Sequence, residues 1–587
     1  MRLFPWLTAV LFAAGLPARA YVLQYNSSTN VEHWNFPAPG SSVPTNVLSR
    51  TTHAVRFFLA SDGYSTTNTA AELNAIRAGF GQWQAISNTV IKFEDAGLVS
   101  PPVDVNTSDG TNILYWTKTT TLVNGGHSDI SGALGVTFVS MSVPNNEILQ
   151  ADIVFNGDLY SWFTDFFNTN SGNNALFVED IALHEMGHFI GLTHSPLGGA
   201  TMFFVGSSGV NVQDGLSSDD IAGAYALYST TPAVFGAISG TVTLNGLPVV
   251  GAIVTAEDAA SNTFAGTLTW TNGTYRMNAM LPGTYRLRVS PLDPAGARSR
   301  DSLCTGPDIS SVYSSAFTSF PPTTNQAVTV TANVTNTVNF TIISNVQPFR
   351  IAAIRAPTAN SGSYSWSALP AVMTVGQSNY TIGVISSNLP TSGATFTISG
   401  DGLTLGTPSY LPNAFGTGLN FISMSISVAS NATPGLRSFA VQQSTNAAYA
   451  SGFLKIRPVV LDHNFDGLDD AFQRKYFPVF TATNAAPAAD PDGDGMNNLS
   501  EYIAGTIPTN AASGFKLLTL TNSRAAGTTI RWLSVSNKVY QVSSRTNLVL
   551  GAWQNLASTV TATGTNALQL DGAGTNGIRF YRVQVLP

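Results

Sequence analysis

The segment HEMGHFIGLTH, from His184 to His194, constrains this chain more than any other stretch. Side chains four residues apart share one face of a helix, so His184 and His188 are predicted to point together at one metal ion. Gly191 lacks a Cβ, so it can end the helix in a positive-φ turn that returns His194 to the same point. Three neutral imidazoles suit Zn²⁺ and leave its fourth position open for water. An open position is typical of a catalytic zinc site.

Glu185 follows the first histidine and is not needed as a ligand. Its predicted role is to take a proton from the zinc-bound water and pass it to a leaving amine. Two alternatives compete with this interpretation, because a bare HExxH pattern also occurs in ordinary exposed helix turns and because some zinc sites are purely structural. The added Gly191 and His194, the nearby Met202 and the lack of a fourth Cys or His close by favour the catalytic site.

Together these residues resemble the metzincin zinc endopeptidases, and within them the matrixin branch that includes the matrix metalloproteinases. Ser195 directly after the third histidine is typical of that branch, and Met202 stands where the family's Met-turn underlies the zinc. The resemblance covers most of residues 45–229. It implies an α+β catalytic domain, with a twisted mixed sheet plus helices, that hydrolyses internal peptide bonds. Three further segments carry it: residues 79–95 resemble the first helix and second strand, 151–156 the edge strand that aligns substrate, and 216–228 the closing helix.

Hydrophobic periodicity predicts the same kinds of element without the family. Apolar residues recur every three or four positions over residues 73–86, which indicates an amphipathic helix. They alternate over residues 55–59, 136–138 and 151–155, which indicates half-buried strands. The turn signal Pro144-Asn145-Asn146 predicts that the last two strands pair antiparallel.

Three features depart from the family pattern. Animal matrixins are usually held latent by a propeptide cysteine, whereas the only cysteine here is Cys304, far past the catalytic segment. The segment that holds a second zinc in many relatives offers only His127 and Asp129, so we expect a solvated loop histidine there rather than a second zinc. Phe203 and Phe204 follow Met202 in place of the common Tyr-Pro, which leaves the shape of the specificity pocket open.

The N-terminal residues predict the protein's destination. A short positive start at Arg2, an apolar run over residues 7–16 and Ala18-Arg19-Ala20 are typical of a signal peptide cleaved after Ala20, the alternative being a buried N-terminal strand or helix. No later stretch is apolar for long enough to span a membrane. We therefore expect a secreted, extracellular protein. A net charge of −7 argues against nucleic acid as a partner. The expected partners are extracellular protein or peptide substrates, together with surface or matrix ligands of the β-domains described next.

The length of 587 residues predicts roughly four domains, so the fold class is multidomain. From about Phe235 the helical periodicity gives way to short strands with Asn-Gly, Asp-Gly and Pro-Gly turns, a pattern typical of all-β sandwiches in series. Residues 240–289 resemble a carboxypeptidase regulatory-like domain. The predicted division is a signal peptide at 1–20, a matrixin-like zinc metalloprotease domain at 21–232, a carboxypeptidase regulatory-like β-sandwich at 233–345, an Ig-like β-sandwich at 346–457, EF-hand or dockerin-like calcium repeats at 458–512 and a C-terminal β-domain at 513–587.

Much of the acidity is local, since eight of the 33 carboxylates fall between Asp462 and Glu501. The segment DPDGDGMNNLSE has oxygen ligands at the positions of an EF-hand-like Ca²⁺ loop, with Gly495 at its sharp turn. The ligands it predicts are Asp490, Asp492, Asp494, Met496 through its backbone carbonyl, Asn498 and Glu501. An earlier segment repeats the pattern with Asp462, Asn464, Asp466, Leu468, Asp470 and Gln473. Gln473 replaces the bidentate glutamate, so weaker binding is expected there. The pair resembles dockerin and thrombospondin type 3 calcium repeats, and a solvated acidic linker is the alternative.

The sequence thus predicts a secreted zinc endopeptidase that carries calcium-stabilised β-domains. The competing hypothesis is an extracellular adhesion or matrix-binding protein with a vestigial metzincin domain. A relic usually loses Glu185 or a ligand histidine first, so their retention favours the enzyme. Because the zinc site is complete by Tyr228, a chain ending near residue 232 is expected to keep the chemistry.

Overall fold

The structure, a computed structural model, describes residue 23 and residues 25–27, 30–142, 145–167, 175–206, 212–291, 320–343, 349–357, 364–367, 370–414, 416–556, 558–573 and 577–586. The predicted signal peptide and Cys304 lie outside this set. The chain forms two compact units, Met1–Val459 and Val460–Pro587. Within the described part of the chain, no helix is long and apolar enough to cross a bilayer.

The described residues in the N-terminal part of the first unit form three helices, a five-stranded sheet and three small strand pairs. The helices are α1 (Thr69–Gln84), α2 (Val178–Phe189) and α3 (Ser218–Tyr228). The strands are β1 (Tyr25–Ser27), β2 (Asn30–Val31), β3 (Val55–Ala60), β4 (Phe93–Val99), β5 (Ile113–Thr117), β6 (Leu122–Val123), β7 (Ser128–Asp129), β8 (Gly135–Met141), β9 (Ile148–Asn156), β10 (Ser161–Phe163) and β11 (Ala175–Phe177).

The sheet has the order β4-β3-β5-β9-β8, and only β8 runs antiparallel to its neighbour. The predicted antiparallel pairing of residues 136–138 with 151–155 is confirmed, with Val136 opposite Val154; Pro144 of the predicted turn lies outside the described residues. The prediction that residues 151–156 form the edge strand is wrong. They lie in β9, which has a neighbour on each side, and β8 is the edge.

The edge position belongs to β8 because β8 pairs along the outer side of β9, and the faces of β9 also differ from the expectation. Alternation of apolar and polar residues predicts a strand with one face in water, but in β9 the polar face is buried as well. Asp152 is fully buried and accepts hydrogen bonds from the backbone N–H groups of Asn106 and Ile113 at 2.9 and 3.0 Å. A covering loop therefore satisfies polar groups that the sequence pattern assigns to solvent.

Helices α1 and α2 pack together over the sheet. The apolar stripe predicted for residues 73–86 is buried, and Phe80 of α1 stacks on Phe57 of β3 with 3.9 Å between ring centroids. Trp83 donates its indole N–H to the backbone oxygen of Leu183 at 3.0 Å, which ties α1 to α2 one residue before His184. The core thus holds the histidine-bearing helix against the sheet.

The rest of the described first unit is built from strands and one 3₁₀ turn (Pro232–Val234). Its strands are β12 (Gly236–Leu244), β13 (Leu247–Pro248), β14 (Ile253–Glu257), β15 (Thr263–Leu268), β16 (Thr274–Met280), β17 (Gly283–Ser290), β18 (Thr323–Val330), β19 (Thr335–Thr337), β20 (Phe340–Ile342), β21 (Ala353–Pro357), β22 (Tyr364–Ser367), β23 (Ala371–Thr374), β24 (Tyr380–Ser386), β25 (Thr395–Ile398), β26 (Leu403–Leu405), β27 (Ser409–Ala414), β28 (Leu419–Val428), β29 (Gly435–Gln443) and β30 (Asn446–Arg457).

These strands form three sheets. One centres on β12 with β13, β16, β19 and β20, and another has the order β22-β21-β24-β28-β26 with β27 also on β28. The third runs β18-β17-β14-β15-β29-β30-β23, with β25 also on β29, and so crosses the predicted boundary at 345/346 through the pair Thr263 and Leu436. One apolar core likewise extends from the helices into β12, β14 and β16 across residue 232. The three predicted domains of this unit therefore share cores and a sheet.

The second unit begins with two helices in the acidic segment and ends in β-structure. Its helices are α4 (Asp470–Tyr476) and α5 (Asn498–Ala504), with a 3₁₀ turn at Thr483–Ala485. Its strands are β31 (Leu517–Ser523), β32 (Gly527–Leu533), β33 (Val539–Arg545), β34 (Gln554–Asn555), β35 (Val560–Thr561), β36 (Asn566–Asp571) and β37 (Phe580–Leu586). Trp532 and Tyr540 are buried in its core.

Candidate active site and metal centres

Helix α2 and the turn after it bring three imidazoles together. His184 and His188 lie one turn apart on α2, which ends at Phe189. Gly191 then adopts a φ of +95°, and a Cβ added there would lie 2.3 Å from the backbone oxygen of Glu32. Only glycine meets both conditions. The turn leads to His194, whose Nε2 lies 3.2 Å from the Nε2 of His188.

The hydrogen bonds of the histidines indicate which ring nitrogens are available. The Nδ1 atoms of His184 and His188 lie 2.8 and 2.9 Å from the backbone oxygens of Thr201 and Leu192. A carbonyl oxygen only accepts, so each Nδ1 carries the proton and each Nε2 presents a lone pair. Burial lowers the pKa of His184 to about 4, and burial together with the nearby His184 ring lowers the pKa of His188 to about 3. Both rings are neutral at pH 7, as metal ligands must be.

This arrangement fits a zinc ion. The ligand atoms of the three histidines all lie within 4.8 Å of one another. Two nitrogens bound tetrahedrally to Zn²⁺ at about 2.0–2.1 Å lie about 3.3 Å apart, close to the 3.2 Å between His188 and His194. Facing lone pairs at that distance repel unless a cation lies between them. Backbone carbonyls that hold the far nitrogen of a ligating histidine are also usual at zinc sites.

Glu185 lies beside the three imidazoles with its side chain almost fully buried, at 4% exposure. Thr137 of the edge strand donates its hydroxyl to Glu185 Oε2 at 2.7 Å, and burial raises the pKa of Glu185 to about 7. A Cβ added to Gly135 would come within 3.0 Å of the same carboxylate. The edge strand therefore both orients Glu185 and leaves room for it. A carboxyl group whose pKa lies near 7 and that faces the metal position can accept and return a proton.

Met202 lies under the histidines, and the turn that carries it is held by one carboxylate. A Cβ added to Gly187 would lie 2.0 Å from Met202 Sδ, so glycine inside the helix is what allows the close approach. Thr201 and Met202 donate their backbone N–H groups to Asp220 at 2.9 and 3.1 Å. Asp220 also closes the capping box at the start of α3. Sequence reasoning missed Thr137 and Asp220 as site residues; the capping box at residues 217–220 was the only local signal for the latter.

A cleft of about 470 Å³ opens between α2 and the edge strand β8. The three histidines and Glu185 form its floor, and its wall includes Tyr160, Ile181, Phe204, Val205 and Gln213. The two phenylalanines after Met202 therefore separate: Phe204 lines the cleft, whereas Phe203 is buried against Phe453 of β30. His127 and Asp129 belong to neither of the metal-ligand clusters found in the described part of the chain.

In the second unit, the later acidic loop collects oxygen atoms around one point. Ligand atoms of Asp490, Asp492 and Asp494 lie within 4.8 Å of one another, and Asn498 and Glu501 are fully buried. Among the described residues, four buried oxygens here have no hydrogen-bond donor: Asp492 Oδ2, Asp494 Oδ2, Asn498 Oδ1 and Glu501 Oε2. Buried polar atoms are rarely left unsatisfied, so this set fits an oxygen-seeking cation such as Ca²⁺. Met496, at the position predicted to bind through its carbonyl, donates its N–H to Asp494 Oδ1 at 2.9 Å.

The earlier acidic loop is closed by similar backbone bonds but has different side-chain partners. Asp462 accepts the N–H groups of Asp466 and Gly467, and Leu468 donates its N–H to Asp466 Oδ1 at 2.8 Å. Two side-chain amides, those of Asn464 and Gln473, donate to Asp466 Oδ2 at 2.9 and 2.8 Å. The remaining predicted ligand, Asp470, is fully buried and lies 3.0 Å from the Nδ1 of His463. Amide donors thus occupy an oxygen that a cation would otherwise bind.

Comparison with known families agrees with the geometry of the N-terminal part. The family model described as Matrixin matches residues 51–229, and the model described as Carboxypeptidase regulatory-like domain matches residues 237–302. Residues 51–229 therefore form a matrixin-type domain, and matrixins are a zinc-dependent metalloendopeptidase family. Matrixin-type and all-β parts follow one another along this multidomain chain.

Two curated relatives come from Arabidopsis thaliana. Metalloendoproteinase 4-MMP is 36% identical over 115 residues, and Metalloendoproteinase 2-MMP is 33% identical over 121 residues. The matches cover 19% and 20% of this chain and 30% of each relative. This chain thus spans less than a third of the length of either relative. Among solved structures, the major pilin subunit of Bacillus cereus covers 60% of this chain and 87% of its own at 10% identity, with a TM-score of 0.13.

Proposed function

We propose that the protein is a secreted zinc-dependent endopeptidase that cleaves internal peptide bonds of extracellular proteins, with Glu185 as the general base. The observation that carries the proposal is the meeting of three imidazoles, at least two of them neutral, with a buried carboxylate at the floor of an open cleft. A vestigial domain without activity would be under no pressure to keep Glu185 oriented by Thr137.

Each residue has a defined task in this reaction. His184, His188 and His194 would hold Zn²⁺, which polarises the scissile carbonyl and lowers the pKa of a water molecule when bound. Glu185 takes a proton from the attacking water and gives it to the leaving amine, while Thr137 holds its carboxylate in place.

Substrate orientation follows from the edge strand. The outer side of β8 offers backbone N–H and C=O groups on which an extended peptide can pair, and such pairing gives affinity without demanding a sequence. A substrate side chain next to the scissile bond then enters the cleft walled by Ile181, Phe204 and Val205, so apolar side chains are favoured.

We also propose that Ca²⁺ binds the loop of residues 490–501 and stabilises the second unit. Four buried oxygens without donors support the site. The loop of residues 462–473 has two such oxygens, on Asn464 and Asp470, and amide donors occupy Asp466 Oδ2, so it is expected to bind more weakly. The signal-peptide pattern of residues 1–20 supports secretion. We further propose that the β-domains bind surface or matrix ligands, which would keep the enzyme near large substrates.

Glu185→Gln tests the proposal most directly. The full-length wild type should cleave internal bonds of an unfolded protein, lose activity with a zinc chelator and regain it with Zn²⁺. Glu185→Gln should lose on the order of 10²-fold or more in kcat while keeping its zinc. Glu94→Gln serves as the control, because that partly exposed carboxylate pairs with Arg56 outside the cleft. Equal activity in wild type and Glu185→Gln would refute the assignment and favour a binding role.

A further inference from the structure

The segment from Ser195 to Leu216 joins the third histidine to α3 and supplies one wall of the cleft through Phe204, Val205, Gly206 and Gln213. Its opposite side is not exposed. It packs on the hairpin of β29 and β30, which belongs to the all-β part of the same unit and lies more than 200 residues further along the chain. We call residues 195–216, as far as they are described, the wall segment.

An aromatic contact forms the first link between hairpin and wall segment. Phe453 of β30 packs edge-on against Phe203, with 5.2 Å between ring centroids and an angle of 84°. A Cβ added to Gly198 would lie 2.6 Å from the Phe453 ring, so the ring also covers the backbone there. Phe203 is 4% exposed and belongs to the apolar cluster of the β-sandwich, against which Phe204 and Val205 pack. The cleft-lining residues thus rest on a sandwich core.

Backbone hydrogen bonds form the second link. Gly198 and Gly199 donate their N–H groups to the backbone oxygens of Ser451 and Gly452 at 3.1 and 2.8 Å. Because backbone bonds fix the register between two segments, the start of the wall segment cannot slide along β30 without breaking them.

Buried charges form the third link. Arg457 Nη2 lies 2.7 Å from Asp214, which is fully buried, and Lys455 donates to the backbone oxygen of Val212 at 3.0 Å. Lys455 also lies 3.6 Å from Asp214, and Asp180 of α2 accepts the N–H of Val212 at 2.8 Å. Burying such charges costs desolvation that their attraction offsets only in good geometry, so this network specifies a position more than it adds stability.

The residue between these anchors reaches the metal centre. Gln213 lines the cleft and donates its side-chain amide to the backbone oxygens of Thr201 and Phe203 at 2.9 and 2.7 Å. The oxygen of Thr201 also accepts from Nδ1 of His184. A continuous chain of contacts therefore runs from Arg457 through Asp214 and Gln213 to the first histidine.

We propose that the β29–β30 hairpin is a built-in part of the specificity cleft, in which Phe453, Lys455 and Arg457 are positioning residues for substrate selection. The β-sandwich then acts on the cleft itself and is not only a tether. The statement about selection rests on the proposed peptidase function, whereas the support of the wall segment does not. The support by the hairpin also argues against the expectation that a chain ending near residue 232 keeps the peptidase activity, because such a chain lacks all three links.

A first experiment measures the stability of the wall segment without relying on catalysis. Hydrogen–deuterium exchange over residues 195–216 is compared in full-length wild type, Phe453→Ala, Arg457→Met and Leu454→Ala. Leu454 is the matched control: it is as buried as Phe453, but it belongs to a different core cluster with Ala371 and Met373. Exchange in the wall segment should become at least tenfold faster in the first two variants and stay near wild type in the third. Equal exchange in Phe453→Ala and wild type, or equal loss in Leu454→Ala, would overturn the proposal.

A second experiment measures how the enzyme selects among substrate side chains. A peptide series that differs only at the residue after the scissile bond is cleaved by the same variants, and kcat/KM values are compared within each variant. Phe453→Ala and Arg457→Met should change the ratio between large and small side chains at least fivefold with zinc content unchanged, and Arg457→Lys should restore most of it. A uniform loss for all peptides contradicts the inference. A wild type that cleaves no peptide refutes the proposed function, while the exchange experiment still decides the support of the wall segment.

Discussion

The loop of residues 490–501 allows a prediction in which one substitution has opposite effects with and without Ca²⁺. Burial and the nearby Asp492, Asp494 and Asp490 raise the pKa of Glu501 to about 7. A carboxyl whose pKa is raised on folding stabilises the fold below its unfolded pKa, and that stability is lost as pH rises through the folded pKa. Without Ca²⁺ the second unit should therefore weaken between about pH 4.5 and pH 7, and Glu501→Gln should reduce this dependence.

With Ca²⁺ the wild type should be more stable than Glu501→Gln, because the cation needs the charged, bidentate glutamate. At a free Ca²⁺ concentration 100-fold above Kd, binding adds about 2.7 kcal/mol, which for a unit of this size raises the thermal midpoint by roughly 10 °C. If Glu501→Gln weakens binding about 100-fold, the same Ca²⁺ adds about 0.4 kcal/mol, or roughly 2 °C. The variant should thus match or exceed the wild type in chelator and fall well below it in Ca²⁺.

Differential scanning calorimetry of the full-length protein measures both effects, with the transition of Val460–Pro587 followed at pH 5 and pH 7.5 in chelator and in excess Ca²⁺. Ser500→Ala is the control, because this neighbour on α5 is exposed. A wild-type midpoint that does not respond to Ca²⁺, or a full Ca²⁺ shift in Glu501→Gln, would refute the reasoning.

Three further outcomes are expected. Gly191→Ala should destabilise the fold by more than about 1 kcal/mol and weaken zinc retention on dialysis, because the new Cβ would meet the Glu32 oxygen at 2.3 Å; Gly97→Ala, also at positive φ but with open space around it, separates strain from clash. Gln473→Glu should add a second tight Ca²⁺ equivalent in titration calorimetry, and an unchanged isotherm would contradict the assignment of the loop. Cys304→Ser should leave peptidase activity unchanged, and activation of the wild type by an organomercurial would show that a cysteine latch exists after all.

Several parts of the site could be predicted from the sequence because they depend on neighbours along the chain. The spacing of His184 and His188 and the turn at Gly191 follow from helix geometry and from glycine's freedom at positive φ. The oxygen pattern from Asp490 to Glu501 follows in the same way from the geometry of one loop. Within a turn or two, residue types and spacing determine where side chains point, so these groupings did not depend on the rest of the fold.

Tertiary structure alone decided which surfaces meet. The alternating pattern of β9 could reveal neither that Asp152 is covered nor that β8 pairs along the outer side of β9, which makes β8 the edge strand that orients Glu185. Nor could the pattern of β30 reveal that Phe453 and Arg457 would support a cleft whose histidines lie far earlier in the chain. A buried aromatic or basic residue gives the same sequence pattern on any strand, whichever segment packs against it. The sequence by itself thus determined which chemical groups form the site. Long-range packing determined which residues orient those groups and which residues shape the cleft around them.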